Sequence, residues 1–273
     1  MNREGVQKAR LSRCVLAVAV LSGCATTQPL SPRTGGMPLQ SPLRYSSTLP
    51  VNPVQMIVVD AGHGGHDPGT SHYGLKEKQL ALDITRRLRT ALEARGITVV
   101  MTRETDQFIP LSGRPALANR LGADVFVSVH INANHNQRVV GSEVYYPRQS
   151  VVAADAAWPP DLQPSEVGIP STTVKQILWD LVLGRMRSQS RRLASSICQG
   201  MRDGLPTPCN GTQPARFVVL REAWMPAVLV EVGYVTNRVE AERLSNPTYR
   251  QTAAESIAKG IVSYIRELGV EHI

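Results

Sequence analysis

The sequence predicts an α/β fold, with a mostly parallel sheet sandwiched between helices in a single globular domain. Three observations predict it. Short apolar runs closed by glycine or polar residues recur along residues 54–273. Amphipathic helical patterns stand between those runs. Each pattern gives way to the next within a few residues, the spacing of strand–helix–strand units that pair in parallel.

The elements follow in order. Met56–Asp60 reads as the first strand, closed by Gly62, Gly64 and Gly65. Leu80, Ile84, Leu88 and Leu92 recur every four residues among arginines, which predicts a helix over about 77–95 that Gly96 stops. Ile97–Met101 is a second strand, 114–121 a helix ended by Gly122, Asp124–Val129 a third strand and Ser142–Tyr146 a fourth. A proline-rich stretch at 158–170 precedes helical segments at about 171–185 and 188–203. Strands near 216–221 and 227–232 follow, and a helix over about 248–268 closes the chain. No internal repeat is present.

Composition excludes a disordered chain, since 42% of residues are hydrophobic and 19% charged. The net charge of +8 suits an anionic partner, either nucleic acid, a membrane surface or an acidic polymer. Part of that charge is positional. Arg3, Lys8, Arg10 and Arg13 precede Cys24 against the single acid Glu4, and the chain beyond them carries only +5, which argues against nucleic acid. Residues 1–23 read as an export signal, with a basic stretch and then the apolar run Cys14–Leu21, too short to span a bilayer. Leu21-Ser22-Gly23-Cys24 resembles a bacterial lipobox, which implies lipid attachment at Cys24 and a membrane anchor. Residues 24–53 are rich in proline, serine, threonine and glycine, and read as a flexible tether to the domain at 54–273. Ala25 follows the cysteine, with no aspartate there, which by resemblance to enterobacterial lipoprotein sorting implies the periplasmic face of the outer membrane in a Gram-negative host. Cys198 and Cys209 remain in the exported part, as a disulfide in an oxidising compartment or as two separate thiols.

In a largely parallel sheet, sites form beyond the carboxyl ends of the strands. Three strand ends there carry chemistry. The first delivers His63, the third His130, and Val228-Leu-Val230 delivers Glu231; Glu77 opens the first long helix after a glycine-rich loop. Two imidazoles and one carboxylate make a zinc-type donor set with an open position, leaving the other carboxylate as a general base. Each residue also has a bland role, as a structural histidine, a helix-capping acid or a paired buried carboxylate. Gly62-His-Gly-Gly65 lacks the lysine and spacing of a phosphate loop. The arginines at 185, 187, 191 and 192 read as a solvated helix face.

The chain resembles the zinc-dependent N-acetylmuramoyl-L-alanine amidases of the bacterial cell-division (amidase 3) family. The resemblance is carried by Ile57-Val-Val-Asp-Ala-Gly-His-Gly-Gly65, Asp67-Pro-Gly69 and Gly74-Leu-Lys-Glu-Lys78. It continues through Thr102-Arg-Glu-Thr-Asp106, Arg114, Ala118-Asn119, Ser128-Val-His-Ile-Asn132 and Met225–Tyr234. It implies that His63, Glu77 and His130 hold Zn2+ and that Glu231 is the catalytic glutamate. The implied reaction is hydrolysis of the amide between N-acetylmuramic acid and L-alanine in peptidoglycan, in wall remodelling and daughter-cell separation. A catalytically silent wall-binding adaptor and a zinc peptidase of the stem peptide are the rival functions. Residues 151–187 read as an insertion, with Val174, Ile177, Leu178, Leu181 and Val182 forming an apolar stripe. The stripe either packs on the domain or, as the resemblance implies, belongs to an autoinhibitory segment displaced by a protein activator. In the second case Glu166 or Asp161 would occupy the open metal position. A monomer is expected.

Overall fold

Runs of valine, isoleucine and alanine buried on both faces make the centre of a parallel sheet, since flanking helices must cover each side. Such runs form the centre of a six-stranded sheet in the computed structural model, which describes residues 54–148 and 172–270, all within one compact unit spanning 48–273. In sheet order the strands are β4 (Thr98–Met101), β1 (Met56–Ala61), β5 (Val125–Asn132), β8 (Ala227–Tyr234), β6 (Ser142–Pro147) and β7 (Cys209–Ala215). The first four are mutually parallel; β6 pairs antiparallel with β8 and parallel with β7. The expected mostly parallel α/β sandwich is therefore present. The signal, Cys24, the tether, Asp161 and Glu166 lie outside the described residues.

One face of the sheet carries the larger core. Ile57, Val59, Val127, Val129 and Val230 pack there with Leu80, Ile84 and Leu88 of α1 (Glu77–Glu93), Leu193 and Ile197 of α3 (Thr172–Gly204), and Ile257 and Ile261 of α6 (Pro247–Val270). The opposite face has a smaller cluster. Val58, Phe126 and Leu229 meet Ala118 of α2 (Gly113–Leu121) and Val219 and Leu220 of α4 (Val218–Arg221). These two short helices are the packing partners on that side.

Several elements depart from the sequence expectation. The strand expected at 216–221 is the single turn α4, closed by Arg221 N–H to Phe217 O and Glu222 N–H to Val218 O. Its apolar run is of strand type, but it packs as a turn against the minor face. The strand lies earlier, at β7, where Asn210, Gly211 and Pro214 hide the pattern; a polar strand with proline fits a sheet edge paired only with β6. The two helical segments expected at 171–185 and 188–203 are one helix, α3, of 33 residues. Two short elements went unpredicted. One is the hairpin of β2 (Ser71–His72) and β3 (Leu75–Lys76); the other is α5 (Arg238–Ser245), capped by the Asn237 side chain on Glu240 N–H. Cys198 of α3 and Cys209 of β7, both buried, form a disulfide with Cα atoms 5.6 Å apart.

Candidate metal centre

The centre is built on the loop from β1 to α1. Asp60, fully buried near the end of β1, accepts hydrogen bonds from Thr102 (2.6 Å) and Ser128 (2.7 Å) and pairs with Arg114 (2.9 Å). Arg114 then reaches forward, donating to Ala61 O at 2.7 Å and His63 O at 2.8 Å. Arg103, also buried, donates to Ala61 O (2.9 Å), Gly62 O (2.7 Å) and Lys78 O (2.8 Å). Carbonyls that a loop would otherwise leave unpaired are satisfied by two guanidinium groups with several donors each. The loop is thereby fixed with His63 at φ 58°, a left-handed conformation uncommon outside glycine.

Three side chains converge on one point. His63 Nε2 lies 3.1 Å and His130 Nδ1 2.9 Å from Glu77 Oε1, and one ligand atom from each residue falls within 4.8 Å of the others. His63 Nδ1 is held by Asp67 at 2.7 Å, which leaves Nε2 facing the other donors, the usual outer partner of a metal-binding histidine. Glu77 accepts from Thr70 N–H (2.9 Å) and Ile131 N–H (3.0 Å) and sits in the first turn of α1, where the helix favours negative charge. Burial opposes its ionisation, but the hydrogen bonds from His130 and His63 hold its carboxyl far below the usual range. Burial likewise works against charge on His63, and Glu77 and Asp67 outweigh it and raise its pKa. At Gly69, φ is +64° and an added Cβ would stand 2.5 Å from Glu77 Oε2 and 2.7 Å from His63 Cδ2, so the loop closes around the donors without a side chain there. Among the described residues this is the one group of three such side chains able to hold a metal ion, and its two imidazoles and carboxylate suit a divalent cation of the zinc type.

Glu231 stands beside this set, its backbone in register with His130 on the neighbouring strand. Its Oε2 is buried and has no hydrogen-bond partner among the described residues. Burial, followed by the charges of Glu77 and Glu143, pushes its carboxyl well above the ordinary carboxylate value. A carboxyl that holds a proton readily and is not tied up by donors is suited to proton transfer.

The structure brings together all four sequence-predicted residues, His63, Glu77, His130 and Glu231. The supports Asp60, Arg103 and Arg114, and the orienting Asp67, stand in the motif stretches, but their roles depend on loop closure. Glu143 was missed altogether. It stands on the partly exposed face of the fourth strand, alternating with the buried Ser142 and Val144, and opposite Glu231.

Two histidines and a glutamate at the carboxyl edge of a mostly parallel sheet could hold a metal ion, and a free carboxyl stands beside them for proton transfer, the equipment of a hydrolase. The N-acetylmuramoyl-L-alanine amidase family model matches residues 57–263. The chain is 34% identical over 219 residues to N-acetylmuramoyl-L-alanine amidase AmiA of Escherichia coli, covering 77% of this chain and 76% of that one. It is 34% identical over 217 residues to LytC of Bacillus subtilis, where it covers 79% of this chain but 37% of the relative. Among solved structures, amidase AmiC2 of Nostoc punctiforme superposes with a TM-score of 0.61 at 33% identity, covering 78% of this chain and 97% of that one. An amidase from Clostridium difficile gives 0.63 at 29%, covering 79% and 98%. The chain belongs to the N-acetylmuramoyl-L-alanine amidase family, hydrolases of cell-wall peptidoglycan.

Proposed function

We propose that this amidase is zinc-dependent, with His63 Nε2, Glu77 and His130 Nδ1 as ligands and Glu231 as the proton-transfer residue. The observation that carries the reading is the convergence of those three donors with Glu231 in register beside His130. Bound zinc would supply Lewis-acid polarisation of the scissile amide carbonyl. The protein's own groups do the rest. Asp67 fixes the His63 ring, and Arg103 and Arg114 hold the loop rigid. Glu231 takes a proton from the attacking water and passes it to the alanine nitrogen as the carbon–nitrogen bond breaks. Glu231→Gln should keep zinc while hydrolysis of purified peptidoglycan falls by about 10²–10⁴-fold. Mass spectrometry of the released fragments checks the bond. Stem peptides with a free L-alanine amino group support the amidase; cleavage within the stem, or none, points to the peptidase or the silent adaptor.

The cellular setting is proposed on the same footing. Lipid at Cys24 would anchor the domain through the 24–53 tether to the periplasmic face of an outer membrane, placing it for wall remodelling and daughter-cell separation. No described helix is long and apolar enough to cross a membrane. Cys24→Ser should lower the mass by the lipid and move the protein to the soluble fraction or leave it unprocessed; an unchanged mass and membrane fraction would overturn the anchor. Residues 151–187 are proposed to restrain the centre until a protein activator displaces them.

A further inference from the structure

Three neighbouring strands present a row of polar side chains on one face of the sheet. β5 pairs His130 with Glu231, and β6 pairs Glu143 with the same Glu231. Residues directly opposite on paired strands project to the same face, at steps of about 5 Å. His130, Glu231 and Glu143 therefore stand side by side, one per strand. This is the minor face, whose packing partners are α2 and α4. Where these strands are otherwise mostly buried, His130, Asn132, Glu231, Glu143 and Tyr145 all keep some exposure. The row thus runs from the metal-type centre through Glu231, whose Oε2 is buried, to the partly exposed Glu143.

Glu143 is held firmly in this row. Its Oε2 accepts from the Tyr145 hydroxyl at 2.6 Å and from the Asn132 amide at 3.3 Å. Tyr145 is itself braced edge-on by Phe217, with ring centroids 5.3 Å apart. Both donors are neutral, so neither cancels its charge. A glutamine could accept the same hydrogen bonds without repelling Glu231. Like charges directly opposite on paired strands are destabilising, so a carboxylate here is a structural cost unless a cationic or N–H-bearing group comes to it.

The reaction supplies such a group. The scissile nitrogen carries one N–H in the amide. As water oxygen bonds to the carbonyl carbon and the carbon–nitrogen bond breaks, Glu231 hands the water proton to that nitrogen. The products are an acid and an amine, which at neutral pH exchange a proton to become carboxylate and ammonium. We propose that Glu143 is a substrate-binding residue of this amidase, its carboxylate accepting the scissile N–H and then holding the α-ammonium of the released L-alanyl peptide. Glu143 exchanges no proton. It meets a nitrogen whose charge grows during the reaction, and a charge-assisted hydrogen bond is roughly twice as strong as a neutral one.

The proposal rests on the amidase reading, and the experiment separates the two. Zinc-loaded wild type and Glu143→Gln are titrated with L-alanyl-γ-D-glutamyl-L-lysine and with its des-amino analogue, in which propionyl replaces alanyl. Wild type should bind the amino peptide about tenfold more tightly. Glu143→Gln should reduce that preference to about twofold or less and leave the des-amino affinity unchanged. A residue serving only to brace the strand would weaken both ligands alike. No preference in wild type overturns the proposal whether or not the variant folds, and so does a preference that survives in the variant. Digestion of peptidoglycan by wild type runs alongside. Release of no peptide with a free L-alanine amino group overturns the amidase reading and the proposal together, whereas normal release without the amine preference overturns the role of Glu143 alone.

Discussion

A single added methyl group at Gly69 would separate the two tasks of the β1–α1 loop, folding and holding donors. Alanine there must adopt φ +64° and place its Cβ against Glu77 Oε2 and His63. Gly74 has a similar φ of +77° with nothing within 4 Å of a built Cβ. Gly74→Ala should cost about 1 kcal/mol of stability through backbone strain and leave zinc affinity unchanged. Gly69→Ala should show a comparable strain and, in addition, weaken zinc binding by about 10–100-fold, the range for disturbing the surroundings of a ligand. Chelator competition on the two folded variants checks this; equal zinc affinity would show that the loop does not shape the donor set. At this scale the sequence was most legible. Histidine and glutamate at strand ends marked His63, His130 and Glu231 as candidates, and the resemblance to the amidase family assigned their roles. Arg103 and Arg114 were not readable as supports, because their partners are backbone carbonyls, which leave no mark in a sequence.

At the scale of elements, Asp83 shows how α1 is docked. It pairs with Arg87 of the same helix at 2.9 Å and with Arg250 of α6, and Arg250 also donates to Leu244 O (2.7 Å) and Ser245 O (2.9 Å) at the end of α5. Partial burial works against the charge on Asp83, but the hydrogen bonds from Arg87 and Arg250 outweigh it, so its pKa lies below the ordinary carboxylate value. A carboxyl depressed in the folded state stabilises that state above its unfolded pKa of about 4 and loses that contribution as pH falls through the folded value. The pair is partly solvated, so about 1 kcal/mol or less is expected. Melting temperatures of wild type and Asp83→Asn should differ most at neutral pH and converge in acid; a gap constant with pH would mean the loss is one of shape. Such long-range pairs were invisible in the sequence, whereas the helix itself was plain from Leu80, Ile84, Leu88 and Leu92. The edge strand β7 shows the converse. Asn210, Gly211 and Pro214 carry no strand pattern, and pairing with β6 and the link from Cys209 to Cys198 override local preference.

For the molecule as a whole, α3 differs along its length. Among the described residues, the buried positions of this helix begin at Ser190 and continue through Leu193, Ala194, Ile197, Cys198 and Met201, where it packs on the domain. Before that point Ile177 and Leu181, two members of the expected apolar stripe, are 54% and 65% exposed. Simple packing of the stripe on the domain does not account for these two side chains. Two apolar side chains left in water suit a segment with a second position or a partner, as a restraint on the centre requires. Removing residues 158–185 spares every position of α3 that is buried among the described residues, and the Cys198–Cys209 link, so the domain should stay folded and able to load zinc. If the segment restrains the centre, the trimmed protein should digest purified peptidoglycan several-fold faster than the full chain without any activator, and adding the excised peptide in trans should slow it again. Restraint relieved by the cut but not restored by the peptide would place the effect in chain connection rather than in occupancy of the cleft. A folded, zinc-loaded deletion no faster than the intact protein would show that the segment does not hold the enzyme back, and the exposed Ile177 and Leu181 would then serve contacts away from catalysis.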